Sequence, residues 1–270
     1  RVSLTDDPVN EVYAGSDILK AIGIDKSTPT LVSCPTCGRT KIDLISLAAQ
    51  FEKAAEQGVV PAMSFIGTCY DFGKGVPCNM EKAVYWFSKA AEKGDAVAQY
   101  NLASCYENGN CVVLDVDKAV YWYTKAAEQG HAKAQSNLGY CYEMGIGVEI
   151  DLNKAKDLYK ISADYGYPRA YMCYSSIIED ENKELALEYL IKSADASFTP
   201  AMCKYSYLLE KGIGVKKDTK LAFDYCQKAA FMGDEHAMGA LGHYYEFGIG
   251  TEINLSSSFK VMLNKLQKKK

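Results

Sequence analysis

The chain contains no apolar run that approaches the roughly 20 residues needed to span a bilayer, so the sequence predicts no transmembrane segment. Positive charge is not in excess either, because the chain has 30 lysines and arginines but 34 aspartates and glutamates. The resulting net charge of −4 argues against a nucleic-acid partner. The remaining composition, 48% hydrophobic and 24% charged, is typical of a soluble intracellular domain. We therefore expect a cytoplasmic location.

The sequence also predicts no disulfide framework, although the chain has ten cysteines. Cys69, Cys105 and Cys141 recur every 36 residues, which predicts positions on neighbouring helix pairs roughly 10 Å apart. That separation exceeds the ~7 Å between Cα atoms that a disulfide allows. We expect free thiols in a reducing compartment. The sequence starts at Arg1 without an initiator methionine, which leaves room for a signal or a whole domain upstream.

What the sequence does contain is one motif that is repeated along most of its length. The motif Lys-Ala-Ala-Glu-x-Gly occurs three times at a spacing of 36 residues, and three weaker versions follow. They are Lys53–Gly58, Lys89–Gly94, Lys125–Gly130, Lys160–Gly166, Lys192–Ser197 and Lys228–Gly233. A fixed period of this length predicts a solenoid of stacked repeats.

The motif ends one helix of each repeat. Upstream of Gly94, small and aromatic residues fall at i, i+3, i+4, i+7 and i+8, which is the stripe of an amphipathic helix. The stripe contains Ala83, Trp86, Phe87, Ala90 and Ala91, and one period later it contains Trp122, which we expect to be wedged between helices. An Asn or Asp four residues before each stripe can cap the first turn. These six predicted caps are Asn79, Asp115, Asp151, Asn182, Asp218 and Asn254.

A second predicted helix lies upstream of the first in every repeat. These upstream helices are expected to begin near Ala62, Ala98, Ala134, Ala170, Ala201 and Ala237. Glycine pairs such as Gly73 and Gly75 end most of them, since a positive φ is cheap only for glycine. One repeat has no glycine pair before Asn182, and its period falls to 31 residues.

The pattern A-x-x-x-L-G-x-x-Y-x-x-G-x-G-V-x-x-D-x-x-K-A-x-x-W-Y-x-K-A-A-E-x-G, met around Ala134–Val148 and Asp115–Gly130, resembles the Sel-1-like repeat, a relative of the tetratricopeptide repeat. The resemblance covers residues 44–270. It implies an all-α fold, a right-handed α/α superhelical solenoid, with a concave groove that binds a protein or peptide partner. It implies a scaffold without catalytic residues or cofactor.

Residues 1–43 lie outside this pattern and predict a short α/β element. Strands are expected over Arg1–Leu4 and Leu31–Thr40, with a helix from Pro8 through Gly23 between them. The stretches RVSLTDDPVNEV, DILKAIGI and VSCPTCGRTKIDLI resemble hydroxymethylbutenyl diphosphate synthase, an iron–sulfur oxidoreductase of isoprenoid biosynthesis. In that family this region joins a TIM barrel to a reductase-like domain. The resemblance implies that Cys34 and Cys37 are ligands of a [4Fe–4S] cluster.

The rest of such a site departs from the family pattern. The family's third cysteine lies about thirty residues further on, in a G-C-V-V-N-G-P-G-E run, and this run is absent. Cys69 stands near that distance but belongs to its repeat, and Val76 stands where the glutamate ligand would be. A Cys-x-x-Cys pair can also be half of a zinc site or a redox dithiol.

Histidines offer no stronger candidate for a site. His131 and His236 lie at predicted helix starts and His243 replaces a residue beside the core, so we expect surface or packing roles for all three. The sequence thus predicts an interaction scaffold over residues 44–270. The alternative is a fragment or fusion of the synthase.

Overall fold

A computed structural model describes residues 31–33, 40–42, 44–258 and 260–261. From residue 44 onward, helix follows helix along the described chain, two to a repeat, as the sequence pattern predicts. Their bounds are α1 Leu44–Glu56, α2 Val60–Phe72, α3 Met80–Glu92, α4 Ala96–Asn108, α5 Val116–Glu128, α6 Ala132–Met144, α7 Leu152–Asp164, α8 Pro168–Ile177, α9 Lys183–Asp195, α10 Thr199–Lys211, α11 Thr219–Phe231 and α12 Glu235–Phe247. We call the even-numbered helices first helices and the odd-numbered ones second helices, according to their order in each repeat. The predicted all-α solenoid is confirmed.

All six predicted caps are confirmed, five at the starts of second helices and Asn254 at the start of the helical residues 255–258 that follow α12. Each side-chain oxygen accepts a hydrogen bond from the backbone N–H three residues on, at 2.9–3.0 Å. The bonds join Asn79 to Lys82, Asp115 to Lys118, Asp151 to Lys154, Asn182 to Leu185, Asp218 to Leu221 and Asn254 to Ser257. Each cap satisfies an amide that has no partner inside the helix, which fixes where the helix begins.

First helices begin two residues before the predicted positions, at Val60, Ala96, Ala132, Pro168, Thr199 and Glu235. Five of them are followed directly by a glycine in the left-handed conformation, of which Gly73 with φ 67° is an example. The short repeat differs as predicted, because α8 has 10 residues where the preceding helix has 13, and it ends at Ile177 with Ile178 as its C-cap. None of the described helices combines the length and the apolar character needed to cross a membrane.

The described residues form two compact units. The first contains those up to Ala134 together with Ile146–Val148, and the second contains Gln135–Gly145 and those from Glu149 onward. In the first unit, α1 to α5 pack in chain order, and the first helices α2 and α4 also contact each other. In the second unit, α7 to α12 pack in the same way, with a contact between α10 and α12.

The amphipathic stripes form the cores of these units. All five stripe residues of α3 are buried. Trp122 differs from the prediction, because it is only partly buried although it packs against the core of the first unit. In α5 the neighbouring Tyr123 is fully buried and occupies the interior.

The amino-terminal region contains one correction. The single strand predicted over Leu31–Thr40 is wrong, since Leu31–Ser33 (β1) and Thr40–Ile42 (β2) are two antiparallel strands with Leu31 opposite Ile42. A single strand through Pro35 is disfavoured by the sequence itself, because proline cannot donate a hydrogen bond to a ladder. The strand predicted over Arg1–Leu4 and the helix predicted from Pro8 through Gly23 lie outside the described residues.

Candidate functional site

The predicted metal ligands Cys34 and Cys37 lie outside the described residues. The described part does not supply the other ligands of a [4Fe–4S] site. Cys69 is 5% exposed and packs in the core from α2, and Val76 has no ligating atom. Among the described residues, no group of three or more His, Cys, Asp or Glu side chains could hold a metal ion. The cluster that the synthase resemblance implies therefore does not fit this part of the chain.

The described cysteines are not disulfide-bonded, as expected from their register. Burial is the main reason that the pKa of the Cys105 thiol rises to about 11 and those of Cys203 and Cys226 rise to about 12. Nucleophilic and metal-binding cysteines need the thiolate at neutral pH. These three thiols stay protonated there, so their environment suits packing rather than catalysis.

His131 has a structural task. Its Nδ1 accepts a hydrogen bond from the Ala134 N–H at 3.2 Å, which caps α6, and its ring stacks on Tyr100 with centroids 4.8 Å apart. Burial, with a smaller contribution from Lys133, lowers the pKa of His131 to about 4. The ring is therefore neutral at pH 7 and able to accept the bond. His236 and His243 are exposed, as predicted.

Functional side chains in a helical repeat are those that its packing leaves accessible. The first helices provide one set of such accessible side chains, which are partly buried or exposed and which we call the first-helix face. In the second unit this face includes Asn137, Tyr140, Arg169, Cys173, Lys204 and Tyr207. These residues come from α6, α8 and α10, so side chains distant in sequence lie on one surface.

Arg169 joins two of these helices. It lies in the first turn of α8, and its Nη1 donates to Asn137 Oδ1 of α6 at 3.1 Å. The guanidinium carbon is 5.7 Å from the centroid of the Tyr140 ring, within the range of a cation–π contact. The side chain is half-buried. Two contacts on α6 thus fix the planar guanidinium in place.

No described carboxylate forms an ion pair with Arg169. The first turn of α8 has no acidic residue, and its cap, Tyr167, makes no side-chain capping bond. Glu143 lies nearby on α6, but its carboxylate accepts a 2.5 Å hydrogen bond from the Tyr159 hydroxyl. Lys204 on α10, by contrast, is paired with Glu179 at 2.8 Å.

Sequence reasoning missed Arg169. The repeat register contains a signal, because the position that Arg169 takes in α8 is occupied by Pro61, Val97, Lys133, Pro200 and His236 in the other first helices. A residue type that changes at every repeat, within a motif that is otherwise kept, marks a position that packing does not dictate. The contact with Asn137 could not be found in this way, since the two residues are 32 positions apart.

The model of the Sel1 repeat matches residues 51–59, 60–95, 96–131, 132–167, 164–198, 199–234 and 235–260. The chain belongs to the Sel1 repeat family. Five of the matched repeats begin where a first helix begins in the structure, among them those that start at Val60 and Ala96.

Solved structures agree with this assignment. A Sel1 repeat protein from Oxalobacter formigenes is 29% identical, and the similarity covers 94% of this chain and 96% of that one with a TM-score of 0.74. The antigen c5321 of uropathogenic Escherichia coli, which has the same repeat fold, is 24% identical with a TM-score of 0.71. That similarity covers 97% of this chain and 57% of the antigen, and it shows the fold alone.

A second similarity is short. The flavodoxin-dependent 4-hydroxy-3-methylbut-2-en-1-yl diphosphate synthase of Caldanaerobacter subterraneus is 47% identical over 75 residues, which are 28% of this chain and 21% of the enzyme. The synthase of Clostridium acetobutylicum is 58% identical over 57 residues, which are 16% of that enzyme. The chain thus spans about a fifth of the length of the curated relatives it matches. The repeats extend over most of the chain, which favours a repeat scaffold over the enzyme.

Proposed function

We propose that this chain is a protein-interaction scaffold whose first-helix face binds a polypeptide segment. The observation that carries the proposal is the division of each repeat into a constant part and a variable part. Caps, core alanines and loop glycines recur in register, whereas residues on the first-helix face change from repeat to repeat. A rigid framework that presents a variable surface is the arrangement by which repeat proteins bind partners.

The chemistry of the described residues supports the same proposal. The buried thiols are protonated, and the His131 ring is committed to capping α6. The first-helix face instead offers Tyr207, which is 53% exposed, beside polar and charged groups. Exposed tyrosines with polar neighbours are enriched where proteins bind other proteins. We propose that the partner is a protein or peptide, bound without a cofactor, and that the chain acts in the cytoplasm, where its free thiols would stay reduced.

A random-peptide display library, selected on the full chain, tests this proposal. Binding of the recovered peptides is measured by fluorescence anisotropy against wild type and two variants. We expect Tyr207→Ala, on the first helix α10, to weaken binding at least about tenfold, as loss of a buried aromatic contact does. Tyr121→Ala is the matched control, because Tyr121 is also 53% exposed but lies on the second helix α5. Failure to recover any peptide, or weakening by Tyr121→Ala alone, would contradict the proposal.

A second candidate function is supported by the short similarity to the synthase. Under it, the chain is a fragment or fusion of that iron–sulfur oxidoreductase, and Cys34 and Cys37 bind its cluster. Anaerobic reconstitution with iron and sulfide, followed by iron analysis and visible absorbance, tests this alternative. A near-stoichiometric cluster that is lost in both Cys34→Ser and Cys69→Ser would favour it over the scaffold alone.

A further inference from the structure

The first-helix face of the second unit contains a cation, Arg169, that forms no ion pair with any of the described carboxylates. Arg169 is half-buried, and the groups it contacts, the Asn137 amide oxygen, the Tyr140 ring and the Cys173 thiol, carry no formal charge at neutral pH. A guanidinium is always protonated in proteins. Burying a charge without an opposite one costs free energy. Val97 and Pro61 take the same repeat position without any charge, whereas Lys133 takes it with one.

The geometry of Arg169 leaves it able to bind an anion. A guanidinium has five N–H donors, and the contacts with Asn137 and the Cys173 thiol use two. The fixed fork of the remaining donors matches the two oxygens of a carboxylate, which is why such pairs are often bidentate. Because Asn137 and Tyr140 hold the plane of the guanidinium, little side-chain freedom remains to be lost on binding.

We propose that Arg169 binds the side-chain carboxylate of an Asp or Glu within the polypeptide that occupies this face. The inference rests on the proposed function and names the chemistry of its partner. First helices on both sides of α8 contribute to the face: α6 through Asn137, at 3.1 Å from Arg169, and α10 through Lys204, which pairs with Glu179 just beyond α8. Tyr207 lies about one turn after Lys204 on α10. A segment that lies across it extends in both directions past Arg169, which suits a side chain within the segment rather than the end of a chain.

Peptides recovered from the display selection are the probes. We expect them to share an Asp or Glu at one position. Changing that residue to its amide, or changing Arg169→Gln, should each weaken binding about tenfold or more, as loss of a hydrogen bond to a charged group does. The two changes together should cost little more than either alone, because both remove the same contact.

Three further variants make the test specific. Arg169→Lys keeps the charge but not the fork and should bind with intermediate affinity. Arg169→Glu should recover binding to a peptide whose acidic residue is replaced by Lys, which a merely structural role would not produce. Lys220→Gln is the control, since Lys220 is 69% exposed on the second helix α11. Thermal unfolding of each variant shows whether the fold is kept.

The outcomes separate the two proposals. Peptides that lose affinity with Tyr207→Ala but lack an acidic residue, or are indifferent to Arg169→Gln, would overturn the carboxylate inference and leave the scaffold standing. If binding requires a free peptide carboxy-terminus and is abolished by terminal amidation, Arg169 binds the end of the chain, and the proposal of a side-chain carboxylate is overturned. Recovery of no peptide would remove the proposed function and the inference with it.

Discussion

The hydroxyl of Tyr159 donates a 2.5 Å hydrogen bond to Glu143, and one repeat earlier Tyr123 makes the same bond to Glu107 at 2.6 Å. Both tyrosine side chains are 0% exposed. Each bond joins the second helix of a repeat to the first helix of the same repeat. In the repeat before these, Phe87 replaces the tyrosine and cannot donate. The acid in that register is Asp71, and burial raises its pKa.

Tyr159→Phe should lower the free energy of unfolding by about 1.5–3 kcal/mol, because it removes a hydrogen bond to a charged group and leaves Glu143 without it. Urea denaturation followed by circular dichroism measures the change. Tyr121→Phe is the control, since this ring is 53% exposed, and a change within about 0.5 kcal/mol is expected for it. Equal effects of the two substitutions would show that the bond to Glu143 adds nothing.

Much of this framework could be predicted from the sequence because it repeats. Asn79 and Asp115 occupy the same position in successive repeats, where a side-chain oxygen can cap a helix, and each of them caps the helix that follows it. The link between Arg169 and Asn137 occurs once and joins two helices, so no periodicity indicates it. Trp122 shows a further limit, since its position in the stripe did not reveal how much of the ring the neighbouring helices leave uncovered.

Stability should depend on pH through His131. Its pKa is lowered from 6.5 to about 4 by burial and, to a smaller extent, by Lys133, with Asp95 opposing the shift. Below pH 6.5 the unfolded chain takes up a proton at His131 that the folded chain does not. The contribution of neutral His131 to the free energy of unfolding is therefore fully present above that pH and is lost as pH falls towards 4. We expect a loss on the order of 2 kcal/mol.

The difference between wild type and His131→Asn isolates this effect from the titration of carboxylates. An asparagine can take over the cap, as Asn79 does in α3, but does not titrate. Urea denaturation at pH 7 and pH 4.5 should show that the wild type loses more stability than the variant. If both lose the same amount, His131 is not held neutral by the fold.

Substitutions at two glycines of the second unit distinguish the cost of left-handed backbone strain from the cost of a steric clash. Gly214 and Gly250 have the same φ of 69°, but a Cβ at Gly250 would lie 1.9 Å from the Thr219 carbonyl oxygen, whereas one at Gly214 would meet nothing within 4 Å. Gly214→Ala should cost about 1–2 kcal/mol for the left-handed conformation alone. Gly250→Ala should cost at least about 1 kcal/mol more, because the loop or α11 must move. Similar thermal unfolding of the two variants would contradict this expectation.

Cys111 occupies the register of Gly75 and Gly147 and has a φ of 54°, so it carries the strain that glycine avoids. Its side chain is exposed, and substitution should disturb little packing. Cys111→Gly should therefore raise the free energy of unfolding by about 0.5–1 kcal/mol, since relief of left-handed strain exceeds the entropy that glycine loses on folding. Cys111→Ala is the control, because it removes the thiol but keeps a Cβ, and no gain is expected. Urea denaturation under reducing conditions measures both variants, and a gain in Cys111→Ala equal to that in Cys111→Gly would assign the effect to the sulfur rather than to the backbone.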